Sequence, residues 1–183
     1  MRVLETKKCI LRAATMDDAK DLFECYKNDV TVKYLPFYKH RTIKDTNRFI
    51  RSFFLNNYKK GRIGHFVIVF KDANKVIGNI GFNNISSNSR EGEIGICINP
   101  DYWGKNISNE LALAIIKYGF EDLNLEKIIA ITFEENKFSQ KPLNDIGFIY
   151  TETFKRKSPK FTKGYINCYK YELTKDGYRF SLE

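Results

Sequence analysis

The chain has 183 residues, 43% of them apolar and 15% aromatic, with 11 Gly and 4 Pro; that suits one globular domain and excludes disorder and fibrous repeats. Thirty-one Lys and Arg against 22 Asp and Glu give a net charge of +9, which bears on acidic partners and solubility rather than on fold. The four cysteines, Cys9, Cys25, Cys97 and Cys168, form no C-x-x-C pair, and with only His40 and His65 beside them neither a zinc site nor a disulfide framework is expected.

No apolar run approaches the roughly 20 residues of a membrane span, and the start of the chain lacks a signal-peptide apolar stretch. A soluble, cytoplasmic protein with reduced cysteines is therefore expected. The lysines are spread along the whole chain, with no Arg-rich arm or RNP-type aromatic motif, so nucleic-acid binding is not read as the main function.

In chain order, Lys8 to Arg12 reads as a strand, and Thr15 with Asp17 and Asp18 supplies a helix cap with acids in the first turn. Ala19, Leu22, Phe23 and Tyr26 then recur at helical spacing to about Asn28. Thr42 to Asp45 is a second cap-like start, and Phe49, Ile50, Phe53 and Phe54 carry a helix to about Tyr58, with Gly61 as its stop. His65 to Phe70 and Val76 to Asn84 read as a hairpin about the turn Asp72 to Lys75. Glu91 to Ile98 is a further strand, whose alternation puts Ile94, Ile96 and Ile98 on one face and Glu93, Gly95 and Cys97 on the other.

Asn99-Pro100-Asp101 breaks that strand, Trp103 to Ser108 is a loop, and Asn109 to Leu123 is helical, with Leu111, Ile115 and Tyr118 inward and Glu110, Lys117 and Glu121 outward. Lys127 to Phe133 is a strand, Lys137 to Ile146 a short helix capped by Gly147, and Phe148 to Phe154 and Tyr165 to Leu173 a closing antiparallel pair. Without linker or repeat, this order describes an α+β or mixed α/β sheet layered by helices.

The segment from Glu93 to Leu111 carries the chemistry. A helix start offers unpaired amides and the positive end of a dipole, so the loop from Gly104 to Ser108, with Lys105 adding charge, suits a pyrophosphate; an ordinary strand-to-helix connection with a capping Ser explains the local pattern too. Neither the Walker spacing nor G-x-G-x-x-G is present, which excludes nucleotide hydrolysis and dinucleotide binding of those types.

At this segment the sequence resembles the GCN5-related N-acetyltransferases, and within them the ribosomal-protein-alanine (RimJ/RimL-type) branch. The resemblance covers about residues 5 to 173 and rests on four pieces in the family order. They are Glu5 to Arg12 with Thr15 to Ala19, Val76 to Gly81, Asp101-Tyr-Trp-Gly-Lys105, and Glu135-Asn136-x-x-Ser139 with Asn144 to Phe148.

The resemblance implies a single domain, residues 1–183, built on a mostly antiparallel twisted sheet of about six or seven strands with helices on both faces. It implies acetyl-CoA lying against Ile96, Cys97 and Ile98 and touching Trp103, its pyrophosphate on the amides of Gly104, Lys105, Asn106, Ile107 and Ser108, and acetyl passing directly to an amine with no metal. Two departures stand out: Asn106 where a glycine is usual, and Leu143 where many members carry an acidic Tyr.

Aminolysis of a thioester needs a neutral amine, so a base must take its proton. Glu93 occupies the strand position the branch uses for a carboxylate, and Gly95 leaves room beside it; a surface acid paired with Arg90 or a lysine is the alternative. Ser139 is the expected donor to the CoA sulfur and Asn136 the contact to the pantetheine arm, unless both serve as helix caps. Tyr34, near Phe37 and Tyr38, with Arg90 and Gly95, completes the expected acceptor side. Cys97 as nucleophile is disfavoured because no His is placed to form a thiolate, and His40 and His65 read as a loop residue and a strand-edge residue.

The primary expectation is an acetyl-CoA-dependent N-acetyltransferase acting on a primary amine, monomeric or homodimeric. A catalytically silent acyl-CoA-binding module, a small-amine acetyltransferase and a basic RNA or ribosome-surface binder are the alternatives. The basic run Lys155-Arg156-Lys157-Ser-Pro-Lys160-Phe-Thr-Lys163 reads either as a solvated loop or as a cationic rim favouring acidic peptide or protein acceptors, nucleic acid then entering only through a ribosomal substrate.

Overall fold

The computed structural model describes residues 1–157, 160 and 164–180; of the basic run, Ser158, Pro159, Phe161, Thr162 and Lys163 lie outside the described residues. Strands β1 (Leu4–Glu5), β2 (Cys9–Arg12), β3 (His65–Phe70), β4 (Lys75–Ser86), β5 (Glu91–Ile98), β6 (Lys127–Phe133), β7 (Ile149–Lys157) and β8 (Tyr165–Thr174) form one sheet ordered β1-β2-β3-β4-β5-β6-β8-β7. That is eight strands instead of six or seven. The extra one is β1, whose two residues are too few to show an alternation. The chain divides into two compact units, Met1–Phe82 with Ile96–Ala114 and Asn83–Gly95 with Ile115–Glu183.

In the first unit the strands β1 to β4 pair antiparallel in sequence order. Helix α1 (Ala19–Tyr26) follows the cap expected at Thr15: the Thr15 amide donates to Asp18 Oδ2 at 2.8 Å. Arg12, at the end of β2, grips the buried Asp18 through both guanidinium nitrogens at 2.9 and 2.6 Å, so strand and helix start are fixed to one carboxylate. Asn28 does not simply end α1; its side chain accepts from the Val30 amide and starts a further turn, α2 (Asp29–Val32). Thr42 and Asp45 cap α3 (Ile43–Phe49) as expected. The run to Tyr58 is then not one α-helix: Ile50–Leu55 is a π-helical stretch before α4 (Asn56–Lys59).

Leu22, Cys25, Tyr26, Ile50, Phe54 and Val67 form the buried centre of this unit. Tyr26 is edge-on to Phe37 and Phe49, so Phe37 is a packing residue, whereas Tyr38 is exposed. Each large apolar side chain buried in this way stabilises the fold by about 1.5–3 kcal/mol. Threaded through the apolar centre is a polar chain: Tyr26 Oη donates to Asn79 Oδ1 at 2.6 Å, and Asn79 Nδ2 meets His65 Nδ1 at 2.8 Å. His65 stands at the start of β3, at the edge of that strand as expected, yet β3 lies between β2 and β4 and the imidazole is buried and bonded. His40 is a loop residue as expected, yet buried, with Nδ1 2.9 Å from the Thr46 hydroxyl.

In the second unit β5 pairs parallel with β6 from Glu91 opposite Lys127 to Ile94 opposite Ala130, and β5 continues beyond that register to Ile98. Strand β8 lies antiparallel to both β6 and β7. Ile115, Ile116, Phe120, Ile128, Cys168, Tyr171 and Leu173 are buried here. Helix α5 (Ile107–Lys117) begins two residues before the expected start and ends in a π-helical turn, Tyr118–Asp122. Helix α6 (Lys137–Ile146) stops at Gly147, φ +100°, and α7 (Lys175–Phe180) follows β8. No helix among the described residues is long and apolar enough to cross a membrane.

Two stability predictions follow from the first unit. A Cβ at Gly78 would fall on the Cys97 carbonyl oxygen, so Gly78→Ala should lower the unfolding free energy by about 2 kcal/mol or more in urea titrations. Burial holds the His40 imidazole below its ordinary value of 6.5. The unfolded chain then binds a proton that the folded chain refuses. Stability should fall as pH drops below about 6.5, and in His40→Gln that part of the thermal-melt pH profile should flatten.

Candidate active site

The site residues are placed by two stretches, one in each unit. In the first unit β5 ends because the Asn99 amide donates to Ile77 O at 2.8 Å and the Asn99 side chain accepts from the Asp101 amide at 3.2 Å, closing a tight turn at Pro100–Tyr102. Trp103 Nε1 reaches back to Ile98 O at 2.9 Å, fixing the loop on the strand it leaves. Gly104 and Asn106 both take left-handed backbone, φ +71° and +57°, either side of Lys105. Asn is one of the few non-glycine residues that sits in this region at low cost, so the departure from glycine at 106 keeps the backbone path. Ile107 is buried and Ser108 exposed in the first turn of α5.

Lys105 does not extend freely. Its Nζ lies 5.0 Å from the Tyr102 ring centre and 5.8 Å from that of Phe70, while its carbonyl accepts from Lys8 Nζ at 2.6 Å. Glu110, expected to face outward, instead accepts from the Lys8 amide at 2.7 Å. Burial alone would raise its pKa, but hydrogen bonds from Thr6, Lys8 and Lys7 hold the carboxyl below its usual range. The one acid in the first turn of α5 is thus tied to the start of β2.

Beyond Ile94 the strict alternation expected of β5 breaks down: Ile96 is 39% exposed, whereas Cys97 and Ile98 are buried. Cys97 Sγ points into the first unit's core, 3.8 Å from Cys25 Sγ. That contact and burial push its thiol well above the ordinary value, so it is neither a nucleophile nor a side-chain contact for a ligand. Tyr34 is half-buried with the Lys33 ammonium 5.0 Å from its ring.

The second unit carries Glu93, Gly95, Arg90, Asn136 and Ser139. Glu93 Oε1 accepts from Asn83 Nδ2 at 3.0 Å and lies 3.5 Å from Arg156 Nη1; its Oε2 has no hydrogen-bond partner among the described residues. The room expected over Gly95 is not free. A Cβ there would sit 2.9 Å from the Asn83 amide, so glycine admits the carboxamide that orients Glu93. Arg90 is not beside Glu93 either. It holds a left-handed turn before β5 and its guanidinium pairs with Glu126.

Asn136 precedes α6 but makes no side-chain cap; its Nδ2 donates to Ser139 Oγ at 2.9 Å, leaving the Ser139 hydroxyl hydrogen free to be given. Asn83 and Arg156 went unread as partners of Glu93. Only the register of the β4–β5 hairpin could have put Asn83 beside it, and nothing local to the basic run singles out Arg156. Among the described residues no His, Cys, Asp and Glu group could hold a metal ion.

The first unit thus holds a loop with two left-handed residues leading into α5, and the second a carboxylate with one oxygen held by Asn83. The sequence matches the acetyltransferase (GNAT) domain over residues 8–149, and the chain belongs to that family. It is 32% identical to the N-acetyltransferase p20 of Bacillus licheniformis over 181 residues, 97% of this chain and 99% of p20. Among solved structures, a GNAT-family acetyltransferase from Bacillus anthracis superposes with a TM-score of 0.81 at 25% identity, covering 96% of this chain and 99% of its own. A ribosomal-protein-S5-alanine acetyltransferase from Vibrio fischeri shares the fold at TM-score 0.81 and 21% identity, covering 96% and 98%.

The family uses acetyl-CoA, and the loop offers a direct test of fit. Asn106→Gly should hold acetyl-CoA affinity within about threefold or tighten it, and Asn106→Val should weaken it about tenfold or more in calorimetric titration, because a β-branched residue is costly at φ +57°. Loss of affinity in the glycine variant would show that the Asn106 side chain itself holds the ligand.

Proposed function

We propose that this chain transfers acetyl from acetyl-CoA directly to a primary amine, with the amino terminus of a protein or peptide as the favoured acceptor. The observation that carries this reading is the Glu93 carboxylate, one oxygen held by Asn83 and the other without a partner among the described residues. Bound acetyl-CoA supplies an activated acetyl thioester. The amides from Gly104 to Ser108 and the positive end of α5 suit its pyrophosphate, and the main chain of Ile96, Cys97 and Ile98, past the parallel register with β6, suits the amides of its pantetheine arm.

Glu93 Oε2 accepts the proton of the incoming ammonium, directly or through water, so that a neutral amine attacks. Ser139, its oxygen already accepting from Asn136, donates a hydrogen bond to the departing sulfur, and the proton shed by the nitrogen after attack goes to that sulfur as the carbon–sulfur bond breaks; that role replaces the Tyr which Leu143 does not supply. Asn136 keeps its side-chain oxygen for the pantetheine arm. Tyr34 belongs to the acceptor side. Lys155 and Lys157 are exposed on β7 and favour an acidic peptide over a polycation, chiefly through the rate of encounter. The ribosomal-protein acetyltransferase that shares the fold supports a protein acceptor, and the free, buried cysteines suit a reducing cytoplasm.

The test follows release of free CoA thiol with a panel of peptides, polyamines and aminoglycosides. Release only in the presence of an amine supports the transferase, while a melting shift with acetyl-CoA and no turnover would leave a silent binding module. Glu93→Gln should lower kcat about 10- to 1,000-fold with acetyl-CoA affinity unchanged, since the amide keeps the shape and loses the base. Full activity at neutral pH in that variant would assign the base elsewhere.

A further inference from the structure

The carboxylates of the strands around Arg156 are nearly all claimed by other groups. Glu152 pairs with Lys170 at 3.4 Å, Glu172 with Lys170 at 2.8 Å and with Lys127 at 3.3 Å, and Glu91 with Lys127 at 2.6 Å. Glu134 accepts from Asn167 and Tyr169 at 2.9 and 2.8 Å. That leaves Glu93 as the acid beside Arg156, and the two meet loosely. One guanidinium nitrogen stands 3.5 Å from an oxygen that already accepts from Asn83, whereas a well-made guanidinium–carboxylate bond is about 2.7–2.9 Å and commonly twofold. Arg156 is half-exposed, with the rest of its planar fork unspent, and its neighbours Lys155 and Lys157 are exposed.

A guanidinium loosely held at the carboxylate of a candidate base, with most of its donors unspent, has a definite chemical use. While Glu93 Oε2 takes a proton from the acceptor nitrogen, the free edge of Arg156 can grip a carboxylate carried close to that nitrogen, in two parallel hydrogen bonds. We infer that Arg156 is the specificity residue of the acceptor site, and that it selects amines bearing an acidic group near the reacting nitrogen. This rests on the proposed acetyl transfer and narrows its substrate class. Two sources share the chemistry: a peptide amino terminus with Asp or Glu in its first two residues, and a free acidic amino acid. The exposed lysines on either side raise the local positive potential and speed encounter with an acidic chain, which favours the peptide.

The test compares acceptors that differ by one charge. C-terminally amidated peptides beginning Ala-Asp and Ala-Asn, with free glutamate as the small-molecule arm, are assayed by CoA release with wild type, Arg156→Gln and Arg156→Lys. Wild type should favour the Asp peptide over the Asn peptide by about tenfold or more in kcat/KM. Arg156→Gln should abolish that preference, KM rising more for the Asp peptide than for the Asn peptide, and Arg156→Lys should retain only part of it, since an ammonium keeps the charge without the fork. Glutamate outrunning both peptides would overturn the peptide assignment.

A preference that survives in Arg156→Gln, or is absent from wild type, would overturn the role of Arg156. Should Arg156→Gln fail to fold, the wild type alone decides: its Asp preference should shrink as salt shortens the Debye length to about 3 Å. Calorimetric binding of the already acetylated Ala-Asp peptide, against its Asn counterpart, needs no turnover. If no amine consumes acetyl-CoA, the transferase reading fails while this binding difference still judges Arg156.

Discussion

One main-chain approach sets the geometry of the loop that leads into α5. The Cys97 carbonyl occupies the volume that a side chain at position 78 would need, and Gly78 lets the two backbones close on each other. The register of β3 on β4 shifts by one residue at the same place, between Ile68 and Val69, which leaves Ile77 outside the ladder. Its carbonyl then takes the Asn99 amide and so ends β5. From that point each bond sets up the next: Asn99 to the Asp101 amide, Trp103 to the Ile98 carbonyl, then two left-handed residues and the first turn of α5. The loop owes its shape to hydrogen bonds made before it, and so needs few contacts of its own.

The second unit solves a different problem, the division of labour between two oxygens of one carboxylate. A surface acid paired through both oxygens is a structural group; an acid with neither held is a poorly aimed one. Asn83, admitted by the missing side chain at Gly95, holds Oε1 of Glu93 and so aims Oε2. A neutral amide does this without a strong counter-charge at hydrogen-bonding distance, and Arg156 at 3.5 Å adds only a loose one. The same economy appears at Ser139, whose oxygen is occupied by Asn136 and whose hydrogen is left to give.

Most of the architecture was legible because its signals are local. The caps at Thr15 and Thr42, the turn at Asp72 to Lys75, the stop at Gly147 and both β-rich hairpins follow from residues a few positions apart, and the structure has them. The loop from Trp103 was legible for the same reason, though α5 takes up Ile107 and Ser108 at its end. Departures came where distance in sequence decides. His65 looks like the start of a strand in isolation, and only the Asn79 and Tyr26 partners, on other elements, make it a buried link. Cys97 and Glu93 share an alternation on paper, but the register with β6 ends at Ile94, and a strand past its ladder need not keep one wet and one dry face. Glu110 is half-buried because the chain start meets it.

Arg90 shows how a residue can matter to chemistry it never touches. A bulky side chain held at φ +50° carries a conformational cost of about 1–2 kcal/mol, so the surroundings must impose it. They do so at the turn before β5: the Arg90 carbonyl accepts the Glu126 amide at 2.8 Å, its guanidinium pairs with the Glu126 side chain, and Glu91 then meets Lys127 squarely. That clamp fixes the phase of β5 against β6. Because a strand exchanges its two faces with every residue of slip, a shift of one position would turn Glu93 to the opposite side of the sheet with its chemistry intact and its orientation reversed. The strained turn is in effect the index mark from which the position of the carboxylate is counted.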